Sequence, residues 1–323
     1  MATIKDVAKL AGVSVATVSR VINKNGYSSE AVQVKVNKAI EELDYRPNEI
    51  ARSLFQKKSK FVGLLLPDIT NPFFPLIAKG AEQYLEENGY QLLLGNTENN
   101  PQKEESYVNS FIQNNVSGII VATGEKWTYS KDIPYVMVDR MTDDNQFLVI
   151  SDNYNGGYLA GKEICLRNPG KVLLMKGPEE FLSSNARNKG VEKALQDFQV
   201  NYDIFEVQTY SSEISQDVAK KFFEEYTEID SVIATNDMHG LAILQQALKR
   251  GINVPEELQI IGYDGIPLGQ MVYPSLSTIQ QPILEMGREA AKALLDHVIG
   301  EVKSVNKVLP VNFYEGETLR DYK

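Results

Sequence analysis

From Phe61 onward the chain breaks into short apolar runs separated by stretches of helical spacing, and the series occurs twice in tandem. The first set comprises Val62–Leu66, Gln91–Leu94, Gly118–Val121 and Tyr135–Val138; the second comprises Lys171–Met175, Ile204–Val207, Ser231–Ala234 and Gln259–Gly262. Such short, largely apolar runs predict buried strands. Strands that alternate with helix-like segments such as Pro75–Asn88 and Lys103–Asn114 imply a doubly wound parallel sheet, and two sets imply two similar lobes.

In open α/β sheets a ligand sits beyond the carboxyl ends of the strands. There the sequence places Asn71-Pro72-Phe73-Phe74, Asp139-Arg140, Arg187 opening a helix after Ser183-Ser184-Asn185, Asn236-Asp237, Asp264 and Gln281. Singly, each fits a turn, a cap or a core position. Together they bring aromatic plates and planar hydrogen-bonding groups to one mouth, a combination suited to the C–H faces and paired hydroxyls of a neutral sugar.

The first sixty residues read differently. They hold 11 of the 33 Lys/Arg but only 6 of the 43 Asp/Glu, a basic end on a chain whose net charge is −10. That asymmetry suits a nucleic-acid-binding head, and equally a solvated basic terminus. Thr3 can cap a helix, with Asp6 reaching back, and Ile4, Val7, Ala8 and Ala11 share one face. Gly12 ends this helix, Ser14 caps a second from Val15 to Asn23, and a third follows from Glu30 to Leu43. Helix, glycine turn and capped helix form a helix-turn-helix, whose second helix would offer Val15, Ala16, Thr17, Ser19 and Arg20 to a major groove. The other reading of this bundle is a protein-contact module.

The run Thr3-Ile4-Lys5-Asp6-Val7-Ala8 through Gly12-Val13-Ser14-Val15-Ala16-Thr17-Val18-Ser19-Arg20-Val21-Ile22-Asn23 resembles the opening of LacI/GalR-family transcription regulators. Tyr45-Arg46-Pro47-Asn48 and Ala51-Arg52-Ser53-Leu54 resemble that family's hinge. The resemblance covers the whole chain. It implies an all-α helix-turn-helix head on a two-lobed α/β body like the periplasmic binding proteins. Residues 1–47 would be the head, 48–60 the hinge and 61–323 the effector-binding and dimerisation domain. The first lobe would take about 61–158 and 281–306, the second about 159–280 and 307–323. The implied DNA contacts are Thr3, Val15, Ala16, Thr17, Ser19, Arg20, Asn23, Ala51 and Leu54, with Leu54 wedged into a minor-groove step.

The body is similar to periplasmic sugar-binding proteins, above all the ribose-binding type, and within the LacI/GalR family to the ribose-responsive regulators of Gram-positive bacteria. Matched by position, that type's contacts fall on Asn71, Phe73, Phe74, Asp139, Arg140, Arg187, Tyr210, Asn236, Asp264 and Gln281. The resemblance thus implies a repressor that binds palindromic operator DNA as a homodimer and responds to D-ribose as inducer. Another sugar, a phosphosugar or a purine as effector, and corepression in place of induction, remain open at this stage.

Composition narrows the rivals. A single cysteine, Cys165, and two histidines, His239 and His297, argue against a disulfide framework, a metal site and histidine relay chemistry. No nucleophile elbow or phosphate-cradling loop is present, since Gly118 to Gly124 lacks dinucleotide spacing. No enzyme activity, cofactor or metal is therefore expected. The sequence shows neither a signal-peptide pattern nor an apolar run of roughly 20 residues. A cytoplasmic setting without membrane contact is the expectation, and the head separates this chain from a secreted sugar-binding protein. Residues Gly316 to Lys323 show no heptad pattern, which argues against a coiled-coil tetramerisation tail.

Overall fold

In β1 (Phe61–Leu66) the side chains alternate between two apolar layers: Val62, Leu64 and Leu66 enter one cluster while Leu65 enters another. A strand with apolar neighbours on both faces needs helices on both faces. The computed structural model shows this arrangement twice; it describes residues 2–22, 27–45, 59–124, 129, 133–140, 147–178, 181–208 and 215–322. The chain divides into two compact units, 1–59 and 60–323.

In the first unit, α1 (Ile4–Ala11), α2 (Val15–Ile22) and α3 (Glu30–Glu42) enclose Val7, Ala8, Ala11, Val18, Val36 and Ala39. Gly12 closes α1 in the left-handed region at φ 66°, which turns the chain sharply enough for Ser14 to start α2. The three elements match the expected helices; Asn23 lies outside the described residues.

The second unit contains two six-stranded sheets. The first has the order β11-β5-β4-β3-β1-β2 and is parallel throughout. Its strands are β1, β2 (Gln91–Asn96), β3 (Ile119–Val121), β4 (Tyr135–Val138), β5 (Phe147–Ser151) and β11 (Val305–Leu309). Helices α4 (Phe73–Glu87) and α11 (Ile283–Ile299) cover one face and α5 (Pro101–Gln113) the other. The second sheet has the order β12-β10-β9-β8-β6-β7, with only β12 antiparallel. It is built from β6 (Val172–Lys176), β7 (Tyr202–Glu206), β8 (Ser231–Ile233), β9 (Gln259–Asp264), β10 (Ser277–Gln280) and β12 (Asn312–Tyr314). Helices α6 (Asn153–Cys165) and α7 (Leu182–Asp197) pack on one face, α8 (Ser215–Glu225) and α9 (Asp237–Lys249) on the other, and α10 (Pro267–Met271) follows β9.

The chain passes between lobes after β5, between β10 and α11, and after β11. These passages differ from the sequence-based boundaries. Helix α6, which the expected boundary near 158 would divide between the lobes, packs with α7 in the second. The passage expected at 306 falls inside β11, which pairs along its whole length with β5, so the crossing comes after Leu309.

The α6–α7 contact is close because it is glycine-made. A Cβ on Gly157 would lie 1.9 Å from the Arg187 carbonyl oxygen, and one on Gly190 would lie 2.0 Å from that of Tyr154. Two backbones touch there, and one of them carries Arg187.

Candidate effector cleft and DNA-facing helix

On the head, Val18 is fully buried, which turns the opposite side of α2 outward. Val15, Ala16 and Arg20 are exposed, and Thr17 and Ser19 half-buried. Ser14 Oγ accepts the Thr17 N–H at 3.1 Å, which caps the helix, and shares a hydrogen bond with Thr17 Oγ1 at 2.9 Å. Exposed Thr3 donates its N–H (2.9 Å) and its hydroxyl (2.7 Å) to Asp6, and these bonds hold the Asp6 carboxyl below its ordinary range. Of the expected DNA contacts, Asn23, Ala51 and Leu54 lie outside the described residues; the rest share the head.

Between the lobes of the body lies a cleft of about 490 Å³, part of it open to solvent. From the first lobe it receives Asn71, Phe73 and Phe74 at the start of α4, and Asp139 and Arg140 after β4. From the second come Arg187 on α7, Asn236 at the start of α9, Asp264 at the end of β9 and Gln281 after β10. The nine positions matched to sugar-binding contacts that lie within the described regions therefore meet in one place, whereas Asp237, placed at the same mouth by the sequence, does not line it. Tyr210, the tenth, lies outside those regions.

Local structure fixes each group. Asn71 Oδ1 accepts the Phe73 N–H at 3.1 Å, so the two phenyl rings enter from a rigid helix start and meet edge to face, centroids 5.2 Å apart. The Arg187 guanidinium lies 3.5 Å from the Tyr263 ring centroid and donates to the Thr235 carbonyl (2.7 Å) and Asn153 Oδ1 (3.0 Å). Asn236 Oδ1 caps α9 by accepting the His239 N–H at 2.9 Å. Ser151 Oγ donates to Gln281 Oε1 at 2.5 Å, and Gln281 Nε2 donates to Asp264 Oδ1 at 2.8 Å. Both carboxylates of the cleft sit in the left-handed region, Asp139 at φ 69° and Asp264 at φ 126°. Such backbone strain in non-glycine residues concentrates at binding sites.

The electrostatics follow from burial. Burial raises the Asp139 carboxyl, while Arg140 and Arg187 pull it down. Burial raises Asp264 well above its ordinary value; neighbouring Asp237 and Asp139 add to the rise, and Arg187 and the Gln281 hydrogen bond oppose it. Two guanidinium groups thus face two carboxylates across a partly dry space walled by aromatic rings. The set can accept and donate hydrogen bonds to several hydroxyls at once.

The structure adds three lining residues, Phe181, Ser183 and Ser184. Phe181 stacks on Arg140, ring centroid 4.2 Å from the guanidinium carbon, and so extends the aromatic wall from the second lobe. No periodicity marks it, because it lies in the connection between β6 and α7; its one cue is its place at the start of the helix that carries Arg187. Ser183 and Ser184 belong to the first turn of α7, which therefore starts ahead of Arg187, whereas the sequence leads one to expect it to open there. Among the described residues no cluster of His, Cys, Asp or Glu could hold a metal ion, and no helix is long and apolar enough to cross a membrane.

Comparison with known proteins places this geometry. Residues 62–302 match the periplasmic binding protein domain, and residues 3–48 match the bacterial regulatory proteins of the lacI family. The chain is 44% identical to the ribose operon repressor of Bacillus subtilis over 99% of both chains. Among solved structures, the lac repressor dimer bound to operator shares the fold at TM-score 0.87 and 22% identity, with 99% of each chain covered. A lacI-family transcriptional regulator from Enterococcus faecium with bound ribose aligns at TM-score 0.71 and 28% identity, covering 81% of this chain and all of the other. The identity over the full length, together with the match of both parts, means that the chain belongs to the lacI family of bacterial regulatory proteins.

Proposed function

We propose that this chain is a DNA-binding transcription repressor whose effector is D-ribose, acting as an inducer. The observation that carries the reading is the convergence of Asn71, Phe73, Phe74, Asp139, Arg140, Arg187, Asn236, Asp264 and Gln281 on a single cleft between the lobes. Phenyl rings pack on the C–H faces of a small sugar, and the carboxylate, guanidinium and amide groups take up its hydroxyl pairs. The similarity to a ribose operon repressor and to a ribose-bound regulator supports ribose among the pentoses and hexoses. A phosphosugar would want further basic groups, and among the described lining residues the cleft offers only Arg140 and Arg187.

On this reading residues 1–47 bind operator DNA, 48–60 form the hinge, and two copies place their heads on a palindromic site in the cytoplasm. Thr3, Val15, Ala16, Thr17, Ser19, Arg20 and Asn23 contact the major groove and its phosphates, and Ala51 and Leu54 the minor groove. Ribose favours a closed form of the lobes that holds the heads less well on DNA, and it shifts the equilibrium only by its preference for that form. An apolar groove of the second lobe lined by Leu248, Leu268 and Tyr273, beside exposed Met271, offers a surface that a second copy would cover.

The test is operator binding by the full chain with and without D-ribose, alongside calorimetric titration with ribose, ribose 5-phosphate and glucose. Ribose should bind and weaken the operator complex, with the other two compounds inert. Tighter operator binding on adding ribose would overturn induction in favour of corepression.

A further inference from the structure

Directly behind the cleft, and not lining it, lies a carboxylate with no exposure to solvent. Asp237 opens α9, where the helix dipole favours negative charge. Its Oδ2 accepts two backbone N–H groups, those of Gly265 and Ile266, at 2.8 Å each, and its Oδ1 accepts the Thr278 hydroxyl at 2.6 Å. The three donors come from the turn after β9 and from β10, so one side chain ties α9 to both. The strand is shaped around it: a Cβ on Gly262 would lie 2.3 Å from Asp237 Oδ1.

The residue enclosed by these contacts is Asp264. Its φ of 126° is a conformation that a side-chain-bearing residue rarely holds unaided, and the next two N–H groups along the chain are the ones Asp237 grips. Ile266, at the end of the gripped turn, is buried in the apolar cluster of the first lobe. The same turn therefore carries a cleft carboxylate and a contact with the opposite lobe.

We propose that Asp237 is a positioning residue for effector binding: by clamping the Gly265–Ile266 turn it holds Asp264 in the strained conformation that aims its carboxylate at the sugar. This rests on the ribose reading of the cleft. A buried carboxylate that accepts three hydrogen bonds gains from being ionised: burial raises Asp237, those three bonds and Arg187 oppose the rise, and the balance leaves it at about 6. An asparagine can keep the geometry. Its carbonyl oxygen can take the two backbone donors while its amide donates to Thr278, whose hydroxyl turns to accept. Alanine keeps none of it.

The experiment measures D-ribose affinity of the full chain in the wild type, D237A, D237N and T278V, with sugar-free operator affinity as the check on folding. D237A should bind ribose about 30-fold more weakly, and D237N within about threefold of wild type, all with unchanged operator affinity. T278V, which removes one of the three donors and keeps the strand packed, should bind ribose about tenfold more weakly than wild type and serves if D237A does not fold. Ribose affinity within about threefold of wild type in D237A, or in T278V where D237A does not fold, overturns the proposal, as does an equal loss in D237A and D237N. A wild-type protein that binds operator but no ribose overturns the ribose reading instead, and this inference with it.

Discussion

His239 shows how a side chain next to the cleft carries a cost that depends on pH. Its ring is fully buried, with Nδ1 2.5 Å from the Thr235 hydroxyl, and burial pushes its pKa down to about 4. In the unfolded chain the ring takes a proton near about 6.5. The folded form refuses that proton until far lower pH, so the contribution to stability is complete above the unfolded value and drains away as pH falls toward 4. By pH 5 the loss should reach about 2 kcal/mol. Asp237, raised by burial, titrates with the opposite sign, so the clean measurement is a comparison of proteins. The fall in unfolding free energy between pH 7.5 and pH 5 should be smaller in His239→Gln than in the wild type by about that amount. An identical fall in both would show that the ring is not held neutral.

Among helices and strands, legibility tracked apolar character. The eight runs correspond to β1–β4 and β6–β9; six of these strands are buried as expected, whereas β2 and β7, at the sheet edges, are not, and leave Leu94 and Ile204 exposed. Strand β10 escaped this reading because it is polar and buried at once. Ser277 and Thr278 are hidden from water yet satisfied, Ser277 Oγ accepting the Gly316 N–H at 3.0 Å and Thr278 donating to Asp237. Hydropathy patterning cannot register a polar core whose partners come from distant segments. Strand β11 is a half-exposed edge and β12 a short one; β5 is a buried apolar run that stands outside the eight. The cleft residues were legible since turn-forming, hydrogen-bonding side chains stood at strand ends; Phe181 was not, as a lone loop aromatic carries no pattern. Close helix packing yields its own expectation. Gly157→Ala would drive a methyl group into the Arg187 carbonyl, a backbone atom that cannot turn aside. Parting α6 from α7 should cost about 1–3 kcal/mol. Because Arg187 moves with that carbonyl, ribose affinity should drop as well. Thermal unfolding with and without ribose reads both effects, and an unchanged midpoint with an unchanged ribose increment would refute the packing argument.

At the scale of the whole molecule, two assemblies have to agree: the head with its operator and the body with a second body. Two outward apolar groups of the second lobe, Met271 at 82% and Tyr273 at 83% exposure, belong to the surface that a second copy would cover. Replacing both with lysine should give a monomer by light scattering, with ribose affinity kept and operator affinity lost, since one head reads only half of a palindrome. A double variant that stays dimeric would move the contact elsewhere. The paths between lobes have a separate consequence at the end of the chain. The last crossing lets one short segment supply β11 to the rim of the first sheet and β12 to the rim of the second. Beyond it, Arg320 pairs with Asp230, and Tyr322 donates to Glu163 on α6. A premature stop shortly after Ile299 would thus leave both sheets with a raw border, open to pairing with other chains. The closing stretch is a seam rather than a tail.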